Sequence, residues 1–198
     1  MSRGMFQVRF HGRGGQGVVT AAELLSVAAF LDGRWSQAFP SFGSERTGAP
    51  VVSYCRISEG EIRTRAPVEE PDALVVQDAT LVHQVDLFAG VGPEGYVLVN
   101  TSRSIEELGL GALLGRFRPG RLVTVPATEM ALRHLGRPLP NAVLLGGFAV
   151  LTGAVGVESV TAAIGRRFSG TLAEGNAAAA REAAAYVREE TRAGAHPD

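Results

Sequence analysis

Apolar residues along this chain occur at two spacings, short β-branched runs and longer stretches of helical period, and their alternation predicts an α/β protein. A short apolar strand, Phe6 to Phe10, leads through a glycine-rich turn into a helix from Gln16 to Leu31. There Val18, Ala21, Ala22, Leu25, Ala28 and Ala29 recur at helical spacing, and the small alanines suit close approach to a sheet. From Gln37 to Pro50, breakers and small residues are too frequent for a regular element, which predicts an ordered surface loop. Phe39 and Phe42 within that polar stretch call for something to pack against.

Val51 to Ile57 alternates Val51, Ser53, Cys55 and Ile57 against Val52, Tyr54 and Arg56, a strand with two unlike faces. Glu59-Gly60 is expected to turn it into a second short strand around Ile62, which would make the sheet mixed. Ala73 to Gln77, Tyr96 to Val99 and Leu122 to Val125 are continuous apolar runs, as expected of strands covered on both faces. Thr80 to Phe88 and Ile105 to Leu108 read as short helices, and His134 falls on another. After Pro140 the pattern is wholly helical: Asn141 to Leu151, Val157 to Phe168, and an alanine-rich helix from about Leu172 to Glu190. Gly146 and Gly147 inside the first of these cost roughly 1 kcal/mol each against alanine, so a close neighbour is expected there. The expected architecture is a three-layer α/β/α fold with a mixed, mostly parallel sheet and a helical C-terminal third. Residues 1–192 form one domain in this reading, and residues 193–198 a disordered tail.

Composition narrows the chemistry. With 198 residues, 45% hydrophobic content and a net charge of −1, one sizeable core is expected. Its basic residues are all arginine and are scattered, so no nucleic-acid stripe is present, and the longest apolar run, Ala142 to Val155, is shorter than a membrane span. An N-terminus that enters a strand almost at once leaves no room for a signal peptide, and a cytoplasmic location is expected. The single cysteine, Cys55, excludes an intrachain disulfide, a thiolate zinc site and an iron–sulfur cluster held by this chain. Its mid-strand position marks it as a small core residue. Absence of lysine removes Schiff-base chemistry, an enzyme-bound pyridoxal cofactor and a phosphate P-loop.

The candidate chemistry lies in Gly12-Arg13-Gly14-Gly15-Gln16-Gly17, where glycines expose backbone at the start of a helix, a setting that favours anions. Its Gly-x-Gly-x-x-Gly spacing matches the dinucleotide fingerprint, but Asp32, the acid at about the right distance, sits in a helix-ending Asp32-Gly33 turn. Arg13 and Gln16 can offer a fork of donors and an amide to a phosphate or carboxylate, or be a solvated side chain and a helix cap. His11, next to the loop, is a general base or a structural histidine, and His83 and His134 are surface or packing residues. No catalytic residue and no metal site can be assigned from spacing.

Phe10 to Gly17 followed by Val18-Val19-Thr20-Ala21-Ala22-Glu23, then Gln37-Ala38-Phe39-Pro40, then Glu45-Arg46-Thr47-Gly48-Ala49-Pro50-Val51, resemble the gamma subunits of the 2-oxoacid:ferredoxin oxidoreductases. Pro71-Asp72, Gln77-Asp78 and Leu135-Gly136-Arg137-Pro138 continue the likeness, which is nearer to the pyruvate branch than to the 2-oxoglutarate or indolepyruvate branches. The resemblance implies oxidative decarboxylation of a 2-oxoacid on thiamine diphosphate with magnesium. Electrons would pass through 4Fe–4S clusters to ferredoxin, and the acyl group to coenzyme A. It implies alpha, beta and delta partner subunits that hold those cofactors, with none bound by this chain alone. Gly12, Arg13, Gly14, Gly15, Gln16 and Gly17 would then face coenzyme A or the active-site cleft, and Phe42, Glu45, Arg46, Thr47 and Gly48 would line a subunit interface. A surface meant for partners often pairs with itself in their absence, so a homodimer of the isolated chain is admitted. A stand-alone dinucleotide enzyme and a purely structural subunit remain the alternatives.

Overall fold

The computed structural model describes residues 4–41 and 47–193. Strand β1, Met5–Arg13, is longer than the apolar run that predicts it, because Gly12 and Arg13 continue its pairing with β3, Pro50–Ser58. Helix α1, Val18–Leu31, follows the glycine turn and ends at Asp32-Gly33. Next comes β2, Trp35–Pro40, so part of the expected surface loop is instead an edge strand. Proline is tolerated there because it closes a strand that has no further neighbour.

The remaining strands are β4 (Ala73–Val76), β5 (Tyr96–Asn100) and β6 (Leu122–Val125), in a six-stranded order β2-β3-β1-β4-β5-β6. β1, β4, β5 and β6 pair in parallel, whereas β3 runs antiparallel to both β1 and β2. The sheet is therefore mixed and mostly parallel, as the patterning predicts. The antiparallel partner of β3 is β2, not a strand at Ile62.

Helices α2 (Ala127–Leu135), α3 (Asn141–Thr152), α4 (Val157–Arg167) and α5 (Gly170–Ala193) complete the C-terminal third. Of the expected disordered tail, residues 194–198 lie outside the described residues. The helices share one core with Val8 and Phe10 of β1, Val51, Cys55 and Ile57 of β3, and Ala73 and Val75 of β4. Leu74 and Val76 point the other way, into a second cluster with Leu81, Leu87 and Phe117. That layer consists of 3-10 turns, Ala79–His83 and Gly111–Leu113, and connecting loops, where short α-helices are expected from the pattern. Burial on both faces explains why β4 and β5 read as unbroken apolar runs.

The reverse face of β1 and β3 is covered differently. Arg9 and Arg56 alternate with the core residues, and Arg56 is only 2% exposed. Arg9 donates to the carbonyls of Val68, Glu69, Leu87 and Ala89, and Arg56 donates to the carbonyl of Ala66 and to Gln7 Oε1. These guanidiniums hold irregular segments onto the sheet. Carbonyls of Ala66, Val68 and Glu69 are thus used by side chains and not by a ladder, and no strand is present at Ile62.

Between α3 and α5 the approach is close enough to require glycine. A Cβ built on Gly146 would lie 2.5 Å from the carbonyl carbon of Ala180 and 2.9 Å from its Cα. The two glycines expected to mark a tight contact do so.

Candidate functional site

The sheet has a switch point between β1 and β4. β1 leads through α1 to the β2–β3 side, while β4 leads to β5 and β6 on the other side. In open α/β sheets the crevice beyond the carboxyl ends at such a point is where ligands bind. Here that place holds the glycine turn after β1 and Gln77-Asp78 after β4.

The turn is shaped by two left-handed glycines, Gly15 with φ 93° and Gly17 with φ 71°. Gly17 is the N-cap of α1, and no side chain caps that helix, so its first-turn N–H groups keep their capacity to bind an anion. Nothing lies within 4 Å of a Cβ placed on Gly15, whereas one on Gly17 would lie 3.1 Å from Asn141 Cγ. Gly15 faces open space, and Gly17 packs against the start of α3. Gly12 is also needed for space, since a Cβ there would lie 2.6 Å from Val18 Cγ2.

Three segments distant in sequence meet at this turn. Gly14 N–H donates to the carbonyl of Ala49 at 2.9 Å, and Gly48 N–H donates to the carbonyl of Gly14 at 3.1 Å. Gly14 and Thr47 form a parallel bridge. Arg13 Nε lies 3.2 Å from Asp78 Oδ2, and the same guanidinium donates to the carbonyl of Gly48, to Thr80 Oγ1 and to Gln84 Oε1. Gln16 Oε1 accepts the Arg13 backbone N–H at 2.7 Å, and its Nε2 donates to Asp78 Oδ2 at 2.8 Å. Both polar side chains of the loop therefore bond within the protein, and neither caps α1.

Asp78 is the hub, and sequence spacing does not reveal it. It also accepts from the backbone N–H of Thr80 at 2.9 Å and from its hydroxyl at 2.6 Å. Burial alone pushes its pKa up, but the bonds from Thr80 and Gln16 and the Arg13 charge together hold it below the usual carboxylate range.

His11 sits one residue before Gly12, and burial together with the nearby Arg9 charge lowers its pKa to about 4. It is a neutral imidazole at ordinary pH. Its Nε2, and both amide atoms of Gln77, are buried without a hydrogen-bond partner among the described residues. Asn100, at the end of β5, accepts Thr128 N–H at 3.1 Å and donates to the Gln77 carbonyl at 2.8 Å, which tethers the start of α2 to the same crevice.

Of the expected interface residues, Thr47 and Gly48 join the glycine turn, while Phe42, Glu45 and Arg46 lie outside the described residues. Asp32 is not a ribose acceptor. Its carboxylate receives the Gly156 N–H at 2.8 Å and the Ser159 hydroxyl, which ties the start of α4 to the end of α1. The acid that a dinucleotide site would need is thus used in packing two helices. His83 closes a 3-10 turn, and His134 pairs with Glu182 across α2 and α5.

One cysteine in the sequence is too few for an iron–sulfur cluster. No group of three His, Cys, Asp or Glu side chains among the described residues could hold a metal ion. Cys55 is fully buried, and burial pushes its thiol pKa up, away from the thiolate a cluster needs. No helix among the described residues is long and apolar enough to cross a membrane.

Comparison with known proteins matches residues 7–186 to the family described as pyruvate ferredoxin/flavodoxin oxidoreductase. The common gamma subunit of the pyruvate/ketoisovalerate oxidoreductases of Pyrococcus abyssi is 51% identical over 179 residues, covering 90% of this chain and 95% of that one. The pyruvate synthase subunit PorC of Methanosarcina barkeri is 51% identical over 160 residues, 81% of this chain and 85% of the relative. Among solved structures, the pyruvate oxidoreductase subunit PORC of Thermotoga maritima superposes with a TM-score of 0.77 at 33% identity, covering 92% of this chain and 97% of that chain.

Proposed function

The chain belongs to the pyruvate ferredoxin/flavodoxin oxidoreductase family as a gamma-type subunit, and from that premise we propose that its glycine turn forms one wall of a coenzyme A site. The parent reaction is oxidative decarboxylation of pyruvate to acetyl-CoA in the cytoplasm, with ferredoxin as electron acceptor. In this reading thiamine diphosphate, magnesium and the 4Fe–4S clusters reside on alpha, beta and delta partners, which accords with the single cysteine of this chain. In this reading residues 1–192 act as one domain of that assembly, and Phe42, Glu45, Arg46, Thr47 and Gly48 belong to the subunit interface.

One observation carries the reading of the site. At the β1/β4 switch point the turn presents an uncapped helix start beside a glycine, Gly15, that has open space in front of it. Backbone N–H donors and the helix dipole there suit a phosphate group of the coenzyme. Arg13 and Gln16 shape the turn from within instead of reaching outward.

In the reconstituted complex, Gly15→Trp is expected to raise KM for coenzyme A while leaving KM for pyruvate in place. An unchanged KM for coenzyme A would remove the assignment of the turn. The internal pairing of Arg13 and Gln16 favours one alternative, a purely structural subunit. That reading predicts normal assembly and unaltered kinetic constants for every substitution in the turn.

A further inference from the structure

Asp78 ties two side chains of the glycine turn to the segment that follows β4. Its Oδ2 accepts from Gln16 Nε2 at 2.8 Å and forms an ion pair with Arg13 Nε at 3.2 Å, while its Oδ1 accepts the Thr80 N–H and hydroxyl. Gln16 in turn accepts the Arg13 backbone N–H, and Arg13 reaches Gly48 and Gln84, so one carboxylate links the end of β4, the turn after β1 and the segment leading into β3. We propose that Asp78 is the positioning residue of this site: it keeps the Arg13 guanidinium folded inward, so that the backbone of Gly15 to Val18, and not an arginine, meets the incoming anion.

The physical logic is preorganisation. A charge-assisted hydrogen bond to a half-buried carboxylate is about twice as strong as a neutral one, and here one such bond from Gln16, together with the Arg13 ion pair, closes a ring over a turn containing two left-handed glycines. Without the ring, the glycines would sample other conformations, and a ligand would have to order them on binding. A free Arg13 would also be a mobile cation at the mouth of the cleft, attracting anions of any shape. Holding it on Asp78 replaces a promiscuous charge with directional N–H donors. The consequence for affinity rests on the coenzyme A reading above, while the positioning itself does not.

The test uses Asp78→Asn, which is nearly isosteric, with Gln16→Leu probing the same link from the other side. In the full-length chain, amide hydrogen exchange of residues 14–18 is expected to quicken about tenfold in Asp78→Asn. In the reconstituted complex KM for coenzyme A should rise about tenfold, with kcat falling by less than about twofold. Adding Gln16→Leu to Asp78→Asn should change KM by no more than about twofold, because both act through one ring. A merely structural aspartate would lower the melting temperature without that split between KM and kcat. Unchanged exchange in residues 14–18 would overturn the positioning role. Faster exchange with an unchanged KM would support positioning and remove the coenzyme A reading of the turn.

Discussion

Gly15 and Gly17 share a left-handed backbone but differ in surroundings, so alanine at each separates conformational strain from steric overlap. An L-residue in the left-handed region costs roughly 1–2 kcal/mol, and at Gly15, where nothing lies within 4 Å of a Cβ, that is the whole penalty. At Gly17 the new Cβ would also lie 3.1 Å from Asn141 Cγ and closer still to its amide nitrogen. Asn141 is buried and its Nδ2 donates to the Gly17 carbonyl at 3.4 Å, so it cannot swing into solvent without losing packing. Overpacking of this kind adds about 1–3 kcal/mol. Gly15→Ala is therefore expected to cost about 1 kcal/mol and Gly17→Ala about 3 kcal/mol, or melting shifts of roughly 3 °C and 9 °C for a chain of this size. Denaturant titration and calorimetry of the purified chain read both. In the Gly17→Ala, Asn141→Ala double variant the overlap is gone, and the cycle should show about 1–2 kcal/mol of favourable coupling. Equal losses for the two single variants, or additivity within about 0.5 kcal/mol, would refute the reasoning.

Other parts of the fold give three further expected outcomes. Gly146→Ala should destabilise by about 2 kcal/mol or more despite alanine's better helix propensity, because α3 and α5 must separate. Gly165→Ala in α4, with nothing within 4 Å of its Cβ, should gain up to about 1 kcal/mol. Urea midpoints of the pair check both signs. His11 has its folded pKa lowered to about 4 from an ordinary value of 6.5, so the unfolded chain binds more protons between those values. Its contribution is fully present above about pH 6.5 and is lost as pH falls toward 4. His11→Gln should flatten that part of the stability profile, by at most about 1.4 kcal/mol per pH unit, as read from urea midpoints across the window.

Much of the fold was legible because local signals and burial agree. The two faces of Val51 to Ile57 are one in the core and one against Arg-bound carbonyls, and β4 and β5 are apolar runs because both faces are covered. β2 was hidden because Pro40 and Ser41 read as breakers, whereas an edge strand tolerates them. Buried Arg9 and Arg56 look like solvent-facing positions in an alternating pattern, and only the distant carbonyls they bind show otherwise. In the site, the glycines marked the turn and the helix start. Asp78, Thr80, Gln84 and Gly48 were invisible as its supports, since nothing in spacing connects residues separated by more than thirty positions to Arg13. His134 was expected on a helix and is on α2, but its pairing with Glu182 of α5 depends on tertiary packing.

A gamma subunit of a pyruvate-oxidising complex that carries no redox cofactor of its own should be isolated together with the subunits that do. Affinity purification of the tagged full chain from its native host, followed by assay of pyruvate- and coenzyme A-dependent ferredoxin reduction, tests this most directly. Larger subunits carrying thiamine diphosphate and iron are expected to co-purify, with activity that requires both substrates. Recovery of the chain alone, or of an active enzyme in which this chain itself carries the iron, would contradict it.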